Sequence, residues 1–355
     1  MISFSLKAPI LIGVLAVTIY YTDILRNFSV PKEGSKRSSD KAQEQAIKKR
    51  TELEKAVLKQ SEVVLAEECS PANGICYIIQ DEVKRIHGDI VARRLMRIKG
   101  SRIIFTVMNL EVPERLEWNN LKSANWPVSK LIVPVEYCQM QIAIGFITEA
   151  MALDSLAKQQ VLMIGLGGGS TSSFFSIMKE MDINVETTVV ELDPFVLQLA
   201  TKYFDHDSTP GVTNVVIRDG IEYLEEVVQD GKAFRSILLD ACYSEDETKT
   251  GLVCPIKEFL TEKVIRNLYD VLTDDGVLSI NTLSVKDISY HENEALKAYQ
   301  SIFPSCYLLP YIKARHMMVC SKKENWTWED QEARFRKNLY TVMERFDFQH
   351  LQALL

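Results

Sequence analysis

Three glycines and three carboxylates carry the chemistry that this sequence offers a ligand. Gly165, Gly167 and Gly169 stand together in VLMIGLGGGST, Glu191 follows the run TTVV, Asp219 and Gly220 follow Arg218, and Asp240 ends SILLD. Glycine admits positive φ and lets a ligand approach bare main chain. The cluster therefore suits a nucleotide cradle of backbone amides, with serines and a threonine at 170–173 available to cap the helix after it. A carboxylate about 26 residues beyond Gly165, the spacing of Glu191, is suited to grip ribose hydroxyls. The same glycines would also suit a tight βα turn, and Asp240 would also suit an acid that caps a loop or helix.

These residues need strands to deliver them. Residues 161–164 are four apolar side chains in a row, the length of a strand buried on both faces, and they run directly into Gly165. A helical stripe of Phe174, Phe175, Met178 and Met181 comes next. A second strand, 187–190, ends in Glu191, and Asp193-Pro194 then opens a helix with Asp as N-cap and Pro at its first position. A third, 215–217, delivers Arg218-Asp219-Gly220, and a fourth, 236–239, delivers Asp240. Successive strands that each end in an acid place Glu191, Asp219 and Asp240 along the carboxyl edge of one sheet, where open α/β folds bind ligands.

This pattern resembles class I S-adenosylmethionine-dependent methyltransferases, and within them the spermidine-synthase-like branch, which includes polyamine aminopropyltransferases and the methyltransferases of elongation factor 1A. The family's G-x-G-x-G loop is matched by Gly165, Gly167 and Gly169, its ribose-binding acid by Glu191 in VVELDP, its adenine-side Asp by Asp219 in RDGIEYL, and its strand-four Asp by Asp240 in ILLDACYSED. The segments GLVCP from Gly251 and LTDDGVL from Leu272 look like the elongation-factor enzymes too. The resemblance covers roughly residues 61–322 and is specific over 161–283; many superfamily members carry an acid two residues before the first glycine, where this chain has Met163. It implies an α/β, Rossmann-like, seven-stranded sheet with helices on both faces, binding S-adenosylmethionine. Glycines 165, 167 and 169, Glu191, Asp219 and Gly220 would hold the cofactor, and Asp240 would face the reacting centre as the catalytic carboxylate, orienting or deprotonating the acceptor amine. The implied acceptor is an amine, a protein lysine or N-terminus included, and the branch also builds oligomers, which makes a homodimer an expectation.

Composition narrows the alternatives. A length of 355 residues, 46% hydrophobic and 25% charged, describes a globular chain. A formal charge of -7 and a pI of about 5.5 give nothing to draw in a polyanion, so nucleic acid is not the expected partner. Seven cysteines include no C-x-x-C pair and five histidines are scattered, so no metal site is expected, and most thiols read as small buried hydrophobes. A G-x-S-x-G elbow is also absent.

Five segments follow in order. Residues 1–28 hold an apolar run, 8–21, short for a bilayer span of about 20 residues. An uncleaved membrane anchor is the preferred reading over a cleaved signal peptide, since no small-x-small site follows the run, and over a peripheral or soluble amphipathic start. Arg26, Lys32, Lys36 and Arg37 after the run favour a cytosolic C-terminal side. Sequons at Asn27 and Asn325, and the pair Cys69 and Cys76, point to a lumen. The balance leans to a membrane-associated protein of the endomembrane system with its catalytic domain in the cytosol.

Residues 29–60 read as a charged helical stalk. Residues 61–135 read as a β-rich subdomain of two hairpins, 62–66 with 75–79 around Asn73-Gly74 and 95–98 with 103–107 around Gly100, followed by a loop with Trp118 and Trp126. Residues 136–322 are the cofactor-binding domain: an apolar helix at 142–153, the strands above, a polar gate at 247–251, a helix at 259–272, a fifth strand at 277–281, a helix at 292–303, and closing antiparallel strands at 307–311 and 316–320, with His316 structural. Residues 323–355 carry Trp326, Trp328, Phe335, Leu339, Met343 and Phe346 at near-helical spacing, as in a docked helix.

Two departures separate the chain from aminopropyltransferases. Those enzymes place Tyr-His-Glu or Tyr-Gln-Glu where this chain has Tyr137-Cys138-Gln139, and a neutral amide cannot replace a carboxylate's bond to ammonium. They also use Asp-Ser-Ser-Asp after strand four, where this chain reads Asp240-Ala-Cys-Tyr-Ser-Glu-Asp246. Methyl transfer from S-adenosylmethionine to an amine is the expectation, aminopropyl transfer the alternative in the same fold, and a membrane-tethered binding module without turnover the alternative in another class.

Overall fold

The charged stretch after residue 32 forms one helix, α1 (Glu33–Leu58), whose Arg50 and Glu54 pair one turn apart at 2.8 Å. The computed structural model describes residues 33–101, 104–154, 156–243, 251–312 and 315–354. The apolar run 8–21 and its anchor reading, the sequon at Asn27, and the gate as far as residue 250 lie outside the described residues. Among the described residues no helix is long and apolar enough to cross a membrane. The chain divides into two units, residues 1–55 and 56–355.

In the second unit, β1 (Glu62–Cys69), β2 (Cys76–Ile86), β3 (Asp89–Ile98) and β4 (Ile104–Asn109) form a four-stranded antiparallel sheet in that order. Where the sequence suggests two hairpins, the structure has one meander, because β2 and β3 pair along their length from Tyr77↔Ile98 to Ile86↔Asp89. Charged residues hide this from a hydrophobic pattern. Arg94 and Asp81 are both buried, joined by Arg94 Nε donating to Asp81 Oδ1 at 2.7 Å and Nη2 donating to Oδ2 at 3.1 Å. A paired and hydrogen-bonded charge can occupy a core position that an apolar residue would otherwise mark.

The remainder alternates strand and helix. In order come α2 (Glu136–Ile147), β5 (Gln159–Ile164), α3 (Ser170–Ile177), β6 (Val185–Glu191), α4 (Pro194–Phe204), β7 (Thr213–Ile217), α5 (Gly220–Asp230) and β8 (Phe234–Leu239). They are followed by β9 (Leu252–Cys254), α6 (Glu262–Asp270), β10 (Leu272–Asn281), β11 (Leu283–Ser284), α7 (Ile288–Gln300), β12 (Ser305–Ile312), β13 (Arg315–Ser321) and α8 (Glu332–Phe346). Seven strands make one sheet in the order β12-β13-β10-β8-β5-β6-β7, in which β13 alone is reversed, antiparallel to both its neighbours β10 and β12, and the other six run the same way.

The apolar run of β5 is continuous because both of its faces are covered. Val161 and Met163 pack with residues of α2, α3 and α8, and Leu162 and Ile164 pack with residues of α5, α6 and α7. α8 presents Phe335, Leu339, Val342, Met343 and Phe346 to the first of these cores. Several boundaries differ from the sequence pattern. α2 begins six residues earlier than the apolar run suggests and stops at Ile147, followed by Glu149 at φ +62°. The apolar stretch ending at Leu272 is a 3-10 turn, Lys257–Leu260, then α6; Leu272 already pairs with Phe234 in β10. α7 starts at Ile288, after Asp287 in left-handed geometry.

The strand order fixes where a ligand can bind. From β5 the chain steps outward through β6 and β7, then returns to pair β8 on the other side of β5. The carboxyl ends of β5 and β8 therefore flank the switch in direction, the position at which open α/β sheets leave a crevice.

Candidate functional site

Gly165 follows β5 at that crevice, with φ +104°, and its N–H donates to Val190 O at 2.9 Å. A Cβ here would stand 2.6 Å from the backbone oxygen of Asp240, so both the left-handed geometry and the close approach of β8 demand glycine. Gly169, φ +81°, is the N-cap of α3 and lies against the ring of His206. Burial pushes that imidazole down to about 4, so it is neutral at physiological pH, and its Nε2 meets Ser172 Oγ at 3.0 Å. Between these two glycines the loop is held by a residue of the other sheet: Gly168 N–H donates to Thr106 Oγ1, on β4, at 2.7 Å.

Glu191 ends β6 and fastens the loop from the opposite side. Its Oε2 accepts the N–H of Leu166 at 3.0 Å and its Oε1 the N–H of Asp193 at 2.9 Å, and the residue is 8% exposed. Burial raises its pKa, while the N–H donors from Asp193 and Leu166 pull against that rise. The backbone of Leu192 is a third donor, and an ionised carboxylate offers about four lone-pair sites, so about one remains for a hydroxyl group. Asp193 caps α4 by accepting Phe195 N–H at 2.9 Å, and its other oxygen accepts Asn73 Nδ2 at 3.0 Å, from the β1–β2 turn.

Asp219 caps α5, its Oδ1 accepting the N–H of Ile221 at 2.7 Å and of Glu222 at 3.3 Å. Gly220, the first residue of α5, is explained by packing, because a Cβ would stand 2.8 Å from Ile164 Cγ2. Two large apolar side chains are open to solvent at the same edge: Leu192, 68% exposed after β6, and Ile217, 41% exposed at the end of β7. Apolar surface next to spare carboxylate oxygens fits a flat heteroaromatic ring attached to a sugar.

Asp240 follows β8, its N–H donating to Ile164 O at 2.9 Å beside the first glycine. Its Oδ1 accepts Asn281 Nδ2 at 2.8 Å, from the end of β10, and its carboxylate is hydrogen-bonded to the hydroxyl of Tyr137 on α2. Burial raises the Asp240 pKa, and the Asn281 amide and Tyr137 hydroxyl act against that rise. The same burial drives the Tyr137 phenol well above its ordinary value and pushes the neighbouring Cys138 thiol up to about 12, so both keep their protons. An acid among neutral groups, held by two donors, is poised to take a proton from a third group.

The structure brings Gly165, Glu191 and Asp240 to one edge and places Asp219 and Gly220 at the start of the adjacent helix. It adds Tyr137, Asn281 and Thr106, which the motif scan does not single out. Tyr137 had a signal, since it stands where the resembling enzymes carry their own tyrosine. Asn281 and Thr106 had none.

The cysteines correct the sequence reading. Six of the seven are paired, Cys69 with Cys76, Cys242 with Cys254 and Cys306 with Cys320, leaving only Cys138, buried, as a thiol. The Asp240 carboxylate and the sulfurs of Cys242 and Cys254 lie within 4.8 Å of one another, a spacing a metal ion could use. Sulfurs bonded to each other are not the thiolates that such a site requires.

Comparison with known proteins gives the arrangement a context. A family model described as a spermine/spermidine synthase domain matches residues 145–329. The eEF1A lysine and N-terminal methyltransferase homolog of Drosophila melanogaster is 27% identical over 186 residues, 52% of this chain and 26% of the relative. The polyamine aminopropyltransferase of Vibrio vulnificus (strain CMCP6) is 30% identical over 149 residues, 42% of this chain and 45% of the relative. The chain thus spans about a quarter of the first relative's length and under half of the second's. Among solved structures, human methyltransferase-like protein 13 in complex with SAH superposes with a TM-score of 0.50 at 20% identity, covering 59% of this chain and 93% of that one. That likeness is one of fold.

Proposed function

The chain belongs to the spermine/spermidine synthase domain family, whose model covers just over half of it, and from that premise we propose that it is an S-adenosylmethionine-dependent methyltransferase acting on an amine. The observation that carries the reading is the meeting of Gly165, Glu191 and Asp240 at the switch point of the sheet. The glycine backbone admits the donor, Glu191 turns its remaining acceptor capacity to the ribose, and Leu192 and Ile217 cover the adenine beside Asp219. A bound sulfonium supplies an already activated methyl group, which leaves the protein to align the acceptor and exclude water.

Asp240 handles the proton. An ammonium has no lone pair, so the acceptor must lose a proton before its nitrogen can form a bond to the methyl carbon as the carbon–sulfur bond breaks. The Asp240 carboxylate takes that proton, while the Tyr137 hydroxyl and Asn281 amide hold it in place. Support for methyl transfer over aminopropyl transfer comes from the methyltransferase named first among the relatives and from the neutral Cys138 and Gln139. The Gln139 amide is turned away, its Nε2 donating to Val133 O at 2.7 Å. The Vibrio relative keeps aminopropyl transfer as the second reading. Incubating the full chain with S-adenosylmethionine or its decarboxylated form, together with putrescine and a lysine-bearing peptide with a free N-terminus, separates them. Consumption of S-adenosylmethionine with methylated product supports the first, and consumption of the decarboxylated donor alone overturns it.

The compartment is the second part of the proposal. Three disulfides belong to an oxidising environment, and the sequon residue Asn325 is exposed, in a turn at φ +53°. They outweigh the lean of the basic residues toward the cytosol and support a domain that faces a lumen or the exterior. The acceptor would then be an amine met in that compartment. Mass mapping of the protein from cells should find the three bonded pairs and an N-glycan at Asn325; reduced cysteines throughout and a bare Asn325 would contradict the assignment.

A further inference from the structure

One of the three disulfides sits beside the carboxylate that the proposed chemistry uses. Cys306–Cys320 and Cys69–Cys76 each join directly opposed residues in a regular antiparallel ladder, which already fixes their neighbours. Cys242 does not stand in a ladder. β8 ends at Leu239, and the chain just past Asp240 is tied down by two backbone bonds, Tyr243 N–H to Val253 O and Ile256 N–H to Ala241 O, each 3.0 Å, with Cys242–Cys254 between them. Cys254 ends β9, where it pairs with Leu283 of β11. Two residues before Leu283 is Asn281, whose amide donates to Asp240 at 2.8 Å and lies 3.8 Å from Cys254 Sγ. The bridge thus closes a ring that runs from Asp240 through Cys242, Cys254 and β11 to Asn281 and back to Asp240.

We propose that Cys242 and Cys254 are positioning residues for Asp240, their disulfide holding the carboxylate and its Asn281 partner in the one arrangement that faces the acceptor. The inference rests on the reading of Asp240 as the group that deprotonates the amine. Cys242 Sγ lies 3.4 Å from Asp240 Oδ1, and in the bonded form that sulfur has no hydrogen to give. A dithiol reductant would deliver two electrons and two protons, becoming a cyclic disulfide itself, and would leave thiols at both positions. The Cys242 S–H would then donate to the carboxylate, and the chain after Asp240 would lose its covalent tie. Cys242 is exposed, so a reductant can reach it. The geometry makes the arrangement of Asp240 sensitive to the redox state of the neighbouring disulfide.

The test compares the full-length oxidised protein with the Cys242→Ala/Cys254→Ala double variant and, as a control for loss of a disulfide elsewhere, Cys306→Ala/Cys320→Ala. Carbon NMR of aspartate-labelled protein, assigned with Asp240→Asn, gives the titration midpoint of the Asp240 carboxyl, and calorimetry gives the affinity for S-adenosylmethionine. In the Cys242/Cys254 variant the midpoint should fall toward the ordinary value of about 3.9 as water reaches the carboxylate, with donor affinity retained. Methylation of the lysine-bearing peptide should lose about a hundredfold in kcat, the scale of a misplaced reacting group. The Cys306/Cys320 variant should keep the wild-type values. A Cys242/Cys254 variant with the wild-type midpoint overturns the proposal. Should that variant fail to fold, wild-type protein reduced by dithiothreitol is titrated instead, with the same downward shift expected and an unmoved midpoint counting against the proposal. If the oxidised wild type consumes no donor at all, the functional reading falls, and the Asp240 midpoint still decides the positioning claim.

Discussion

Asp240→Asn should abolish amine methylation almost completely while leaving donor binding intact. Removal of a positioned general base costs about 100-fold to 10,000-fold, and Asp240 lies past β8 rather than within the glycine loop proposed for the donor. An asparagine keeps the shape and can turn its oxygen toward Asn281 Nδ2 and the Tyr137 hydroxyl, so the local hydrogen bonds survive. The comparison that checks this is kcat for the lysine-bearing peptide against the calorimetric affinity for S-adenosylmethionine in the same preparation. More than about a tenth of wild-type turnover would remove Asp240 from the role, since a base contributes at least about 100-fold.

The pH dependence follows from the same group. Its folded pKa is raised by burial, so below that raised midpoint the acid is protonated and cannot accept a proton. The rate should therefore fall as pH drops through a midpoint above the ordinary value of about 3.9, and Asp240→Asn should erase that limb. The effect on stability has the opposite sense. A carboxyl whose folded pKa is raised binds more protons folded than unfolded between the ordinary and raised values, so its contribution to stability falls as pH rises through that window. At neutral pH the charged form is then a burden to the fold, and Asp240→Asn should leave the thermal midpoint unchanged or higher.

Glu191→Gln should weaken S-adenosylmethionine binding by about 100-fold, on the order of 3 kcal/mol, as two hydrogen bonds to a charged group are disrupted. The carboxylate accepts from Leu166 N–H and Asp193 N–H with different oxygens. Glutamine has one oxygen, so its amide nitrogen must face one of these donors with another donor. The glycine loop then loses its tie to β6, and the acceptor capacity left for ribose hydroxyls goes with it. Calorimetry on the variant reads the loss directly. Affinity equal to wild type would show that Glu191 is a structural acid and that the donor does not meet it.

The parts of this arrangement that were legible in the sequence are those that repeat locally. β5, β6 and β8 announce themselves as apolar runs because parallel strands are covered on both sides, and parallel strands bring their ends to one edge, so Gly165, Glu191 and Asp240 could be grouped before any coordinates. The residues that complete the site come from afar. Tyr137 is on α2, ahead of the whole βαβ series, Asn281 is at the end of β10, and Thr106 belongs to a different sheet; no spacing rule links them to Asp240 or Gly168.

Other features were hidden by chemistry that patterns do not register. The continuity of β2 and β3 is masked by the buried Arg94–Asp81 pair, which puts two charges where a strand pattern calls for apolar side chains. The sequence offers Glu191 as an acid suited to ribose hydroxyls but gives no sign that it fastens the glycine loop, because its partners are backbone amides that any sequence supplies. The glycines themselves have separate reasons: Gly165 makes room for the β8 backbone, Gly169 for the His206 ring, and Gly220 for Ile164. Cysteines separated by 12 residues carry no pairing signal, since a chain of that length can bring many pairs together; only the path of β9 alongside residues 241–243 sets Cys242 against Cys254.

The most direct test of a donor site at the carboxyl edge of this sheet is titration of the full-length protein with S-adenosylmethionine by calorimetry. The expected result is saturable binding of one molecule per chain with a dissociation constant on the order of micromolar, weakened by Glu191→Gln and kept by Asp240→Asn. Absence of any heat of binding from S-adenosylmethionine or its decarboxylated form up to about millimolar concentration would contradict it.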